Sequence, residues 1–338
     1  MTRPSTERLT RIRIARILSL DGPQGIHIEE QNAPKPKPGE VLLDMEALGL
    51  NRAEAMFARG QYLVEPRLPN PIGVEGVGRI RALGPGVSGF EPGQRVGVFA
   101  ASDMHRYGVA AEQIAVPTEM LLPDVPGHSD ESMAAFWMAY LTAHCGMVQS
   151  GRLSRGETVL ITAASSSVGL AAIQVARRAG ARAVAATRSK RKEKALLDAG
   201  ADRVVVMDDT PLSECGENFD LAFDAVGAPI LAQLGDLMRP KGRIIVYGIL
   251  SGTQEAPFPL FAALFKDISM RAFHLVHHAL SDQTRRDEAF QSLLNGVREG
   301  AFHPALDRIF PFSEITSAYA RLESSDQVGK IVVRMKGT

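Results

Sequence analysis

The sequence predicts a two-domain α/β protein in which a small antiparallel β barrel accompanies a doubly wound parallel sheet. The chain has 338 residues, enough for about two domains of roughly 150 residues each. Short alternating strands separated by Pro and Gly fill its first part, whereas buried strands alternate with helices in the middle. We place the barrel domain at residues 1–126, completed by about 273–338, and the parallel-sheet domain at 127–272.

The strands of the predicted barrel alternate apolar and polar residues, as half-buried antiparallel strands do. They are RIRIARILSL, IHIEE, EVLLDMEALGL, GVGRIRALG, QRVGVF and EQIAVP, in that order between Arg11 and Pro117.

The pattern changes after Ser129, where apolar residues at helical spacing predict a helix over Asp130–Val148, with Ser129 or Asp130 placed to cap its start. Nearly continuous apolar strands follow, and helical patterns separate most of them, which is typical of a parallel sheet covered on both faces. These strands are TVLIT (158–162), AVAAT (183–187), RVVVM (203–207), LAFDA (221–225) and RIIVYG (243–248). The remaining chain predicts a helix near 284–297, a strand near Arg308, a helix near 314–322 and a closing strand KIVVRM that rejoins the first domain.

Composition excludes several classes of protein. Lys plus Arg and Asp plus Glu are both 38, so a net charge of zero argues against a nucleic-acid or membrane-surface partner. The two cysteines, Cys145 and Cys215, are far apart, which argues against a Cys-rich metal site and suits a reducing compartment. There is no apolar run of about 20 residues, and MTRPSTERLT lacks the apolar stretch of a secretory leader. We expect a cytoplasmic protein with a disordered N-terminal tail.

The turn after the first parallel strand predicts a dinucleotide-binding site. Small residues there let the backbone approach a diphosphate, and the N-terminus of the following helix offers unpaired N–H groups. The predicted cofactor-binding residues are Ala163, Ala164, Ser165, Ser166, Ser167, Val168 and Gly169. Because the G-x-G-x-x-G pattern is reduced to one glycine, the strand–turn–helix context carries the prediction, and a purely structural tight turn is the alternative.

The end of the second parallel strand predicts the form of the cofactor. An acidic residue there binds the ribose hydroxyls of NAD, whereas a basic residue accepts the 2′-phosphate of NADP. Arg188 stands at this position, 19 residues after Gly169. It is followed by Ser189 and then by three basic residues that end with Lys192. We therefore predict NADPH, with Arg188, Ser189 and Lys192 as ligands; a solvated basic helix face is the alternative for the lysines.

With these signatures placed, the chain resembles the medium-chain dehydrogenase/reductase superfamily from about Ala15 to Met335, and most closely its zinc-free quinone reductase and enoyl reductase branch. The stretches that carry the resemblance include PKPGEVLL, ALGLNRAEAMFARGQY, PNPIGVEGVGRIRALGPGVSGFEPGQRV, LTAHCGM, VLITAASSSVGLAAIQVA, FDAVGA, KGRIIVYGILSG and VGKIVV. The resemblance implies a GroES-like barrel domain, a Rossmann domain and commonly a homodimer.

Zinc-dependent members of that superfamily carry a Cys and a His where this chain has Asn51 and Val74. Neither residue type serves as a zinc ligand, so we predict no metal. His274 and His278 share a helix face at i, i+4 spacing, but no third ligand accompanies them.

Three residues are predicted to be catalytic from the resemblance. Asn51 matches an asparagine beside the nicotinamide, with positioning and polarisation as its expected role and a turn-satisfying amide as the alternative. Tyr62 matches a tyrosine that is a proposed proton donor in the enoyl thioester reductase branch; simple packing is the alternative. Thr142 matches a threonine near the nicotinamide amide, although its hydroxyl could instead bond back within its own helix.

Other positions carry weaker predictions. Gly227 and Gly248 follow sheet strands at their carboxyl ends and are predicted to leave room for cofactor, with ordinary turns as the alternative. His144 and Cys145 neighbour Thr142, and we expect no thiol chemistry there. Aromatic residues suited either to a substrate pocket or to a dimer seam are Phe258, Phe261 and Phe265.

The predicted activity is zinc-independent hydride transfer from NADPH to a quinone or an α,β-unsaturated carbonyl. Without a Lewis acid, a conjugated acceptor that spreads charge onto an oxygen suits hydride addition better than a simple ketone. One alternative is an enoyl thioester reductase in which Arg52, Arg59 and Arg67 receive a carrier phosphopantetheine or CoA. A non-catalytic NADPH-binding interaction protein is another. The sequence does not name the acceptor or the oligomeric state.

Overall fold

The computed structural model describes residues 10–208, 211–253, 255–280 and 282–336. Residues 1–9 of the N-terminal tail, which was predicted to be disordered, lie outside the described residues. Over the described part of the chain, no helix is both long enough and apolar enough to cross a membrane.

Strands make up most of the first part of the chain, and strands alternate with helices in its middle. The strands are β1 (Arg11–Ile17), β2 (Ile26–Asn32), β3 (Glu40–Gly49), β4 (Asn70–Pro71), β5 (Glu75–Leu83), β6 (Arg95–Phe99), β7 (Gln113–Pro117), β8 (Leu121–Leu122), β9 (Thr158–Ile161), β10 (Arg182–Thr187), β11 (Arg203–Val206), β12 (Phe219–Asp224), β13 (Met238–Val246), β14 (Ser269–Ala272), β15 (Leu306–Pro311) and β16 (Lys330–Arg334). The α-helices are α1 (Arg52–Ala58), α2 (Asp130–Ala134), α3 (Trp137–Ala143), α4 (Ser167–Arg178), α5 (Glu193–Asp198), α6 (Ala228–Leu237), α7 (Leu260–Lys266), α8 (Gln283–Arg298) and α9 (Ile315–Glu323).

The chain divides into two compact units, each built from separate segments. Unit 1 contains the described residues of Met1–Ala135, Arg308–Asp326 and Ile331–Thr338. Unit 2 contains those of Phe136–Asp307 and Gln327–Lys330.

Unit 1 is built on antiparallel sheets. The larger sheet has the order β15-β16-β3-β5-β6-β8, and β7 pairs with β3; a smaller sheet has the order β2-β1-β4. β3 is almost entirely buried because strands flank it along its length, with Val332 of β16 opposite Gly49 and Val41 opposite Leu83. The prediction that the closing strand rejoins the first domain is confirmed.

Unit 2 is built on a parallel sheet with the order β11-β10-β9-β12-β13-β14. The five buried strands predicted from the sequence are present as β9 to β13, and their pairings are parallel. The chain leaves β9 at the point where the strand order reverses, since β10 lies on one side of it and β12 on the other. In open α/β sheets, ligands bind at this reversal, beyond the carboxyl ends of the strands. The predicted fold class is confirmed.

One predicted helix is divided in the structure. The segment over Asp130–Val148 forms α2, then α3, and then a π-helix at His144–Ser150, with a break at Ala135 and Phe136. Of the two predicted caps, Ser129 is the one that caps α2, since its side chain accepts a hydrogen bond from Ser132 N at 3.2 Å. The break coincides with the end of unit 1: α2 packs on β3 and β5, whereas α3 packs on α4 in the core of unit 2.

Candidate active-site residues

The turn between β9 and α4 has the geometry of an anion cradle. Ala163 adopts a left-handed backbone conformation with φ of +45°, and Ser166 then caps α4 by accepting a hydrogen bond from Gly169 N at 3.0 Å. The first backbone N–H groups of the helix, those of Ser167 and Val168, have no acceptor within the helix. Both residues are half-buried, so these donors and the positive end of the helix dipole are reachable.

Gly169 is required by close packing inside this turn. A Cβ at that position would lie 2.5 Å from both the Cα and the carbonyl oxygen of Ala164. Because the contact is with backbone, no rotamer change relieves it. The one glycine that remains of the dinucleotide pattern is therefore the one that lets the turn fold tightly against its helix.

Lys192 lies at this turn, and its predicted role as a ligand of the cofactor stays a prediction. Its Nζ donates to Ser165 Oγ at 3.3 Å and to the carbonyl oxygen of Gln327 at 3.1 Å. The segment 327–330 also contacts the turn directly, since Gly329 N donates to Ser165 O at 3.0 Å. Sequence reasoning missed this segment because it lies far along the chain from the turn that it contacts.

Arg188 stands at the carboxyl end of β10 with its side chain exposed. Within the described residues it makes no hydrogen bond or ion pair, whereas many other arginines of this protein are paired with carboxylates. Ser189 is half-buried beside it. The guanidinium is thus available to an anion that lies beyond the end of β10.

A buried carboxylate fixes the turn at the end of β12. Asp224 accepts hydrogen bonds from Thr162 Oγ1 at 2.6 Å, from Val226 N at 3.1 Å and from Gly227 N at 2.8 Å. Burial raises the pKa of Asp224, and these hydrogen bonds oppose the rise. Gly227 holds a left-handed φ of +90° as a result, which favours glycine. Sequence reasoning missed Asp224, although an acidic residue that ends an apolar strand was the available signal.

Gly248 lies close to the neighbouring strand end. A Cβ there would lie 2.9 Å from Ala225 O, so glycine allows the segment after β13 to approach the end of β12. Gly248 therefore serves close backbone packing, whereas Gly227 serves the left-handed backbone conformation of its turn. A role toward cofactor stays a prediction for both glycines.

Thr142 forms the hydrogen bond that the sequence left as its alternative. Its Oγ1 donates to Met138 O within the helix at 2.6 Å, which leaves the oxygen able to accept but not to donate. A cofactor amide N–H could still donate to it. Nearby, burial raises the pKa of Cys145 to about 12 and lowers the pKa of His144 to about 4. Both are therefore neutral at physiological pH, and the absence of thiol chemistry stays a prediction.

In unit 1, Asn51 immediately precedes α1 and is buried. Its Nδ2 lies near three acceptors: Gly49 O at 3.0 Å, Glu54 Oε1 at 3.2 Å and Glu75 Oε2 at 3.3 Å. Because an amide nitrogen carries two hydrogens, its donor capacity is used within the unit. Asn51 is therefore an amide whose position is fixed by its neighbours.

Glu54 holds this arrangement together. It is fully buried, its Oε1 accepts from Val74 N at 3.0 Å, and its Oε2 accepts from Tyr319 Oη at 2.6 Å. Burial raises the pKa of Tyr319 well above its usual value, and the charge of Glu54 raises it further. Glu54 and Glu75 were missed from the sequence because buried carboxylates have no periodic signal.

Tyr62 lies in the loop that follows α1, and its side chain is half-buried. Burial raises its pKa, so the phenol stays protonated at neutral pH. This state is the one that a proton donor requires. Exposed apolar residues follow it in the same loop, namely Leu63, Val64 and Leu68.

Among the described residues, no group of three or more His, Cys, Asp or Glu side chains is arranged to hold a metal ion. His274 lies 4.9 Å, ring to ring, from His277, and His278 is buried against Phe273 at 5.1 Å. These histidines pack as part of unit 2.

Comparison with known proteins identifies the family. Residues 37–127 match the model of the alcohol dehydrogenase GroES-like domain, and residues 167–293 match that of the zinc-binding dehydrogenase. Acryloyl-coenzyme A reductase of Metallosphaera sedula is 31% identical over 337 residues, covering 92% of this chain and 96% of that protein. The chain belongs to the medium-chain dehydrogenase/reductase superfamily. Within this superfamily it groups with the zinc-free quinone oxidoreductase-like and enoyl reductase-like members, and it is an oxidoreductase.

Two further similarities support this placement. Quinone oxidoreductase-like protein 2 of Mus musculus is 28% identical over 91% of this chain and 88% of its own length. The quinone oxidoreductase of Thermus thermophilus, whose structure was also solved with NADPH, matches with a TM-score of 0.81 and 29% identity over 96% of this chain and all of that one.

Proposed function

We propose that this oxidoreductase uses NADPH to reduce a quinone or an α,β-unsaturated carbonyl without a metal ion. The observation that carries the cofactor assignment is Arg188, exposed and without a partner among described residues at the end of β10. A basic residue at that position suits a 2′-phosphate. The turn at 163–169 supports the assignment, because it combines a capped helix N-terminus with a close approach that excludes even one Cβ.

The class of electron acceptor follows from the two residues that occupy the positions of the zinc ligands in zinc-dependent members. Asn51 and Val74 stand in their place, and the Asn51 amide is held by Glu54 and Glu75. When bound, NADPH supplies a hydride, which adds readily to the β-carbon of a conjugated carbonyl or to a quinone ring. The charge then spreads to an oxygen that ordinary hydrogen-bond donors stabilise. Since the Asn51 amide hydrogens are already engaged, we assign positioning to Asn51 and leave donation to other groups, Tyr62 among them.

The direct test is NADPH oxidation, followed at the absorbance of the reduced nicotinamide, with a panel of quinones, enals and simple ketones. We expect turnover with the conjugated acceptors and very little with the ketones. Addition of a chelator should not change the rates. Tight NADPH binding without turnover by any acceptor would favour the non-catalytic alternative.

The Tyr62→Phe variant tests the source of the proton. Reduction of an enal requires protonation at carbon, whereas the oxygens of a reduced quinone exchange protons rapidly with water. We therefore expect kcat with an enal to fall about tenfold, since general acids contribute at least that much, while kcat with a quinone changes little. Tyr107→Phe is the matched control, because Tyr107 lies elsewhere in unit 1 near Glu40. Equal loss with both acceptors would contradict a proton-donor role.

A second candidate, reduction of an enoyl thioester, is favoured by the name of the Metallosphaera sedula relative. The contacts within unit 1 do not favour it. Arg52 donates to Leu322 O at 2.7 Å, and Arg59 donates to both oxygens of Glu323 at 2.7 Å, so two of the three arginines predicted to receive a carrier are engaged. Comparing crotonyl-CoA with crotonaldehyde as substrate distinguishes the candidates: the thioester hypothesis requires a much higher kcat/KM for the CoA ester.

We further propose that the protein forms a homodimer through the edge of the unit 2 sheet. β14 is the last strand of that sheet, and its residues are exposed. The helix that precedes β14 in the chain, α7, packs on β13 and turns an apolar stripe to solvent, with Phe261 and Phe265 each 85% exposed and Leu264 nearly as much. A large exposed apolar patch marks an interaction site, and a strand edge is self-complementary under two-fold symmetry. This arrangement favours the dimer seam over the substrate pocket for these phenylalanines.

Replacing Phe261 and Phe265 together with Asp should convert the dimer to a monomer in light scattering coupled to gel filtration. The side chains are exposed in the single chain, so thermal stability of each monomer should be largely retained. The matched control is Leu197→Asp, which removes an exposed leucine on α5. A wild-type protein that is monomeric at micromolar concentration would contradict the dimer.

A further inference from the structure

The loop that follows α1 carries much of the large apolar surface that unit 1 exposes. Leu63 is 69% exposed, more than any other large apolar side chain described in that unit. Four more exposed apolar side chains lie in the same loop or in the segment after β1, and the described residues of unit 1 expose only one other to this degree, on β15. The loop patch consists of Leu18, Leu20, Leu63, Val64 and Leu68.

Contacts within unit 1 bring the two segments of the loop patch together. A Cβ at Gly60 would lie 3.2 Å from Leu20 Cδ1, so Leu20 lies at the start of the loop. At the other end, Ile17 pairs with Asn70 in the antiparallel register of β1 and β4, which places Leu18 next to the last residues of the loop. The five side chains therefore belong to one region of the surface.

The charges around the loop patch indicate what kind of group covers it. Single exposed leucines are common, but a contiguous exposed apolar region marks a binding site. The loop holds one acid and one base, Glu65 and Arg67, so it has no net positive charge to attract an anionic membrane. Residues 1–9, which lie outside the described part of the chain, are mostly polar and suit an apolar surface poorly. An uncharged apolar group fits the patch better than any of these.

Tyr62 connects the loop patch with the proposed reaction. It directly precedes Leu63, and its side chain is half-buried, whereas that of Leu63 is open to solvent. Consecutive Cα atoms are about 3.8 Å apart, so the patch begins within one residue of the candidate proton donor. A molecule whose conjugated carbonyl contacts the Tyr62 hydroxyl reaches the patch if it carries an alkyl chain.

We propose that the preferred electron acceptor carries an aliphatic chain, which lies on the loop patch while the conjugated carbonyl or quinone ring faces Tyr62. The inference rests on the proposed function and names its substrate class, a lipophilic conjugated acceptor. Long-chain alkenals and alkylated quinones share this chemistry. Because the chain is remote from the reacting carbon, it binds equally well in the ground state and the transition state, and it therefore lowers KM without raising kcat.

The experiment measures steady-state kinetics with two pairs of acceptors. The first pair is crotonaldehyde and 2-nonenal, and the second is a dimethoxy-methyl-benzoquinone without and with a decyl chain. The members of each pair share the reacting group and differ only in the chain. We expect KM to be about tenfold lower for the chain-bearing member at similar kcat, because each methylene that leaves water favours binding. The pair with the larger effect shows whether an alkenal or a quinone is the better fit.

The double variant Leu63→Ser, Val64→Ser tests whether the loop patch causes this preference. Both side chains are exposed, so the melting temperature should be retained. The ratio of KM between the short and the long acceptor should fall to about twofold, since the chain then meets polar side chains. Leu197→Ser, which replaces an exposed leucine on α5, is the matched control and should keep the wild-type ratio. A wild-type ratio near one, or a ratio that the double variant leaves unchanged, would overturn the proposal.

A binding measurement separates this inference from the proposed function. Titration calorimetry of the two quinones without NADPH needs no turnover. If no acceptor is reduced, yet the wild type binds the decyl quinone about tenfold more tightly than the double variant does, the proposed function is wrong and the patch still binds a chain. Equal affinity of the wild type for both quinones refutes the chain site alone. Sedimentation of the wild type with phosphatidylcholine vesicles, lost in the double variant, would assign the patch to a membrane and overturn the proposal.

Discussion

Replacing Arg188 with Asp is expected to weaken NADPH binding roughly 100-fold, about 2.7 kcal/mol, while NADH binding is kept or improved. The substitution removes a guanidinium from the end of β10, where it is exposed and unpaired among described residues, and puts a carboxylate in its place. A carboxylate repels the 2′-phosphate but accepts hydrogen bonds from the free ribose hydroxyls of NADH. Dissociation constants for both dinucleotides, measured on one protein preparation, give the ratio.

The control for Arg188→Asp is the same charge reversal at Lys194. That side chain is 85% exposed on α5 and pairs with Asp198, a surface ion pair of little energetic weight. If general electrostatic attraction caused the loss of affinity, Lys194→Asp would weaken NADPH binding as much as Arg188→Asp does. The loss in both variants would then disappear at high salt. An unchanged preference for NADPH over NADH in Arg188→Asp would remove the main support for NADPH.

Replacing Asp224 with Ala is expected to destabilise the protein by about 3 kcal/mol, since three donors lose a buried acceptor. These are the hydroxyl of Thr162 and the backbone N–H groups of Val226 and Gly227. Asp224→Asn keeps one acceptor oxygen and should cost about half as much. Urea unfolding monitored by tryptophan fluorescence measures both; Trp137 is buried in unit 2, the unit that contains Asp224.

The pH dependence of Asp224 has a definite sign. The pKa of Asp224 is higher in the folded protein than in the unfolded chain. Protonated Asp224 therefore favours the folded state at low pH, and the free energy of unfolding falls as pH rises and the carboxyl loses its proton. The stability difference between wild type and Asp224→Asn should therefore shrink as pH increases above about 4. A difference that grows with pH would mean that the hydrogen bonds outweigh burial and lower this pKa.

The parts of the fold and site that follow from local sequence were predictable. Apolar runs predicted the strands β9 to β13, and the serine-rich turn with Gly169 and the basic Arg188 followed from their distance to those strands. What could not be predicted depends on tertiary contacts. The amide hydrogens of Asn51 are directed by Glu75, and Lys192 is held by Gln327 from a distant part of the chain. For Thr142 the sequence left a cofactor amide and a bond within its own helix open, and the structure shows that the hydroxyl donates within the helix to Met138 O.

The interleaving of the two units has a consequence for biosynthesis. Central strand β3 of unit 1 is completed on one side by β16, which is translated almost a whole chain later, after nearly all of unit 2. A ribosome-bound intermediate therefore contains a parallel sheet that is able to form while the first unit still presents an open strand edge. Nascent chains of this protein should depend on chaperone protection until the final strand emerges from the exit tunnel.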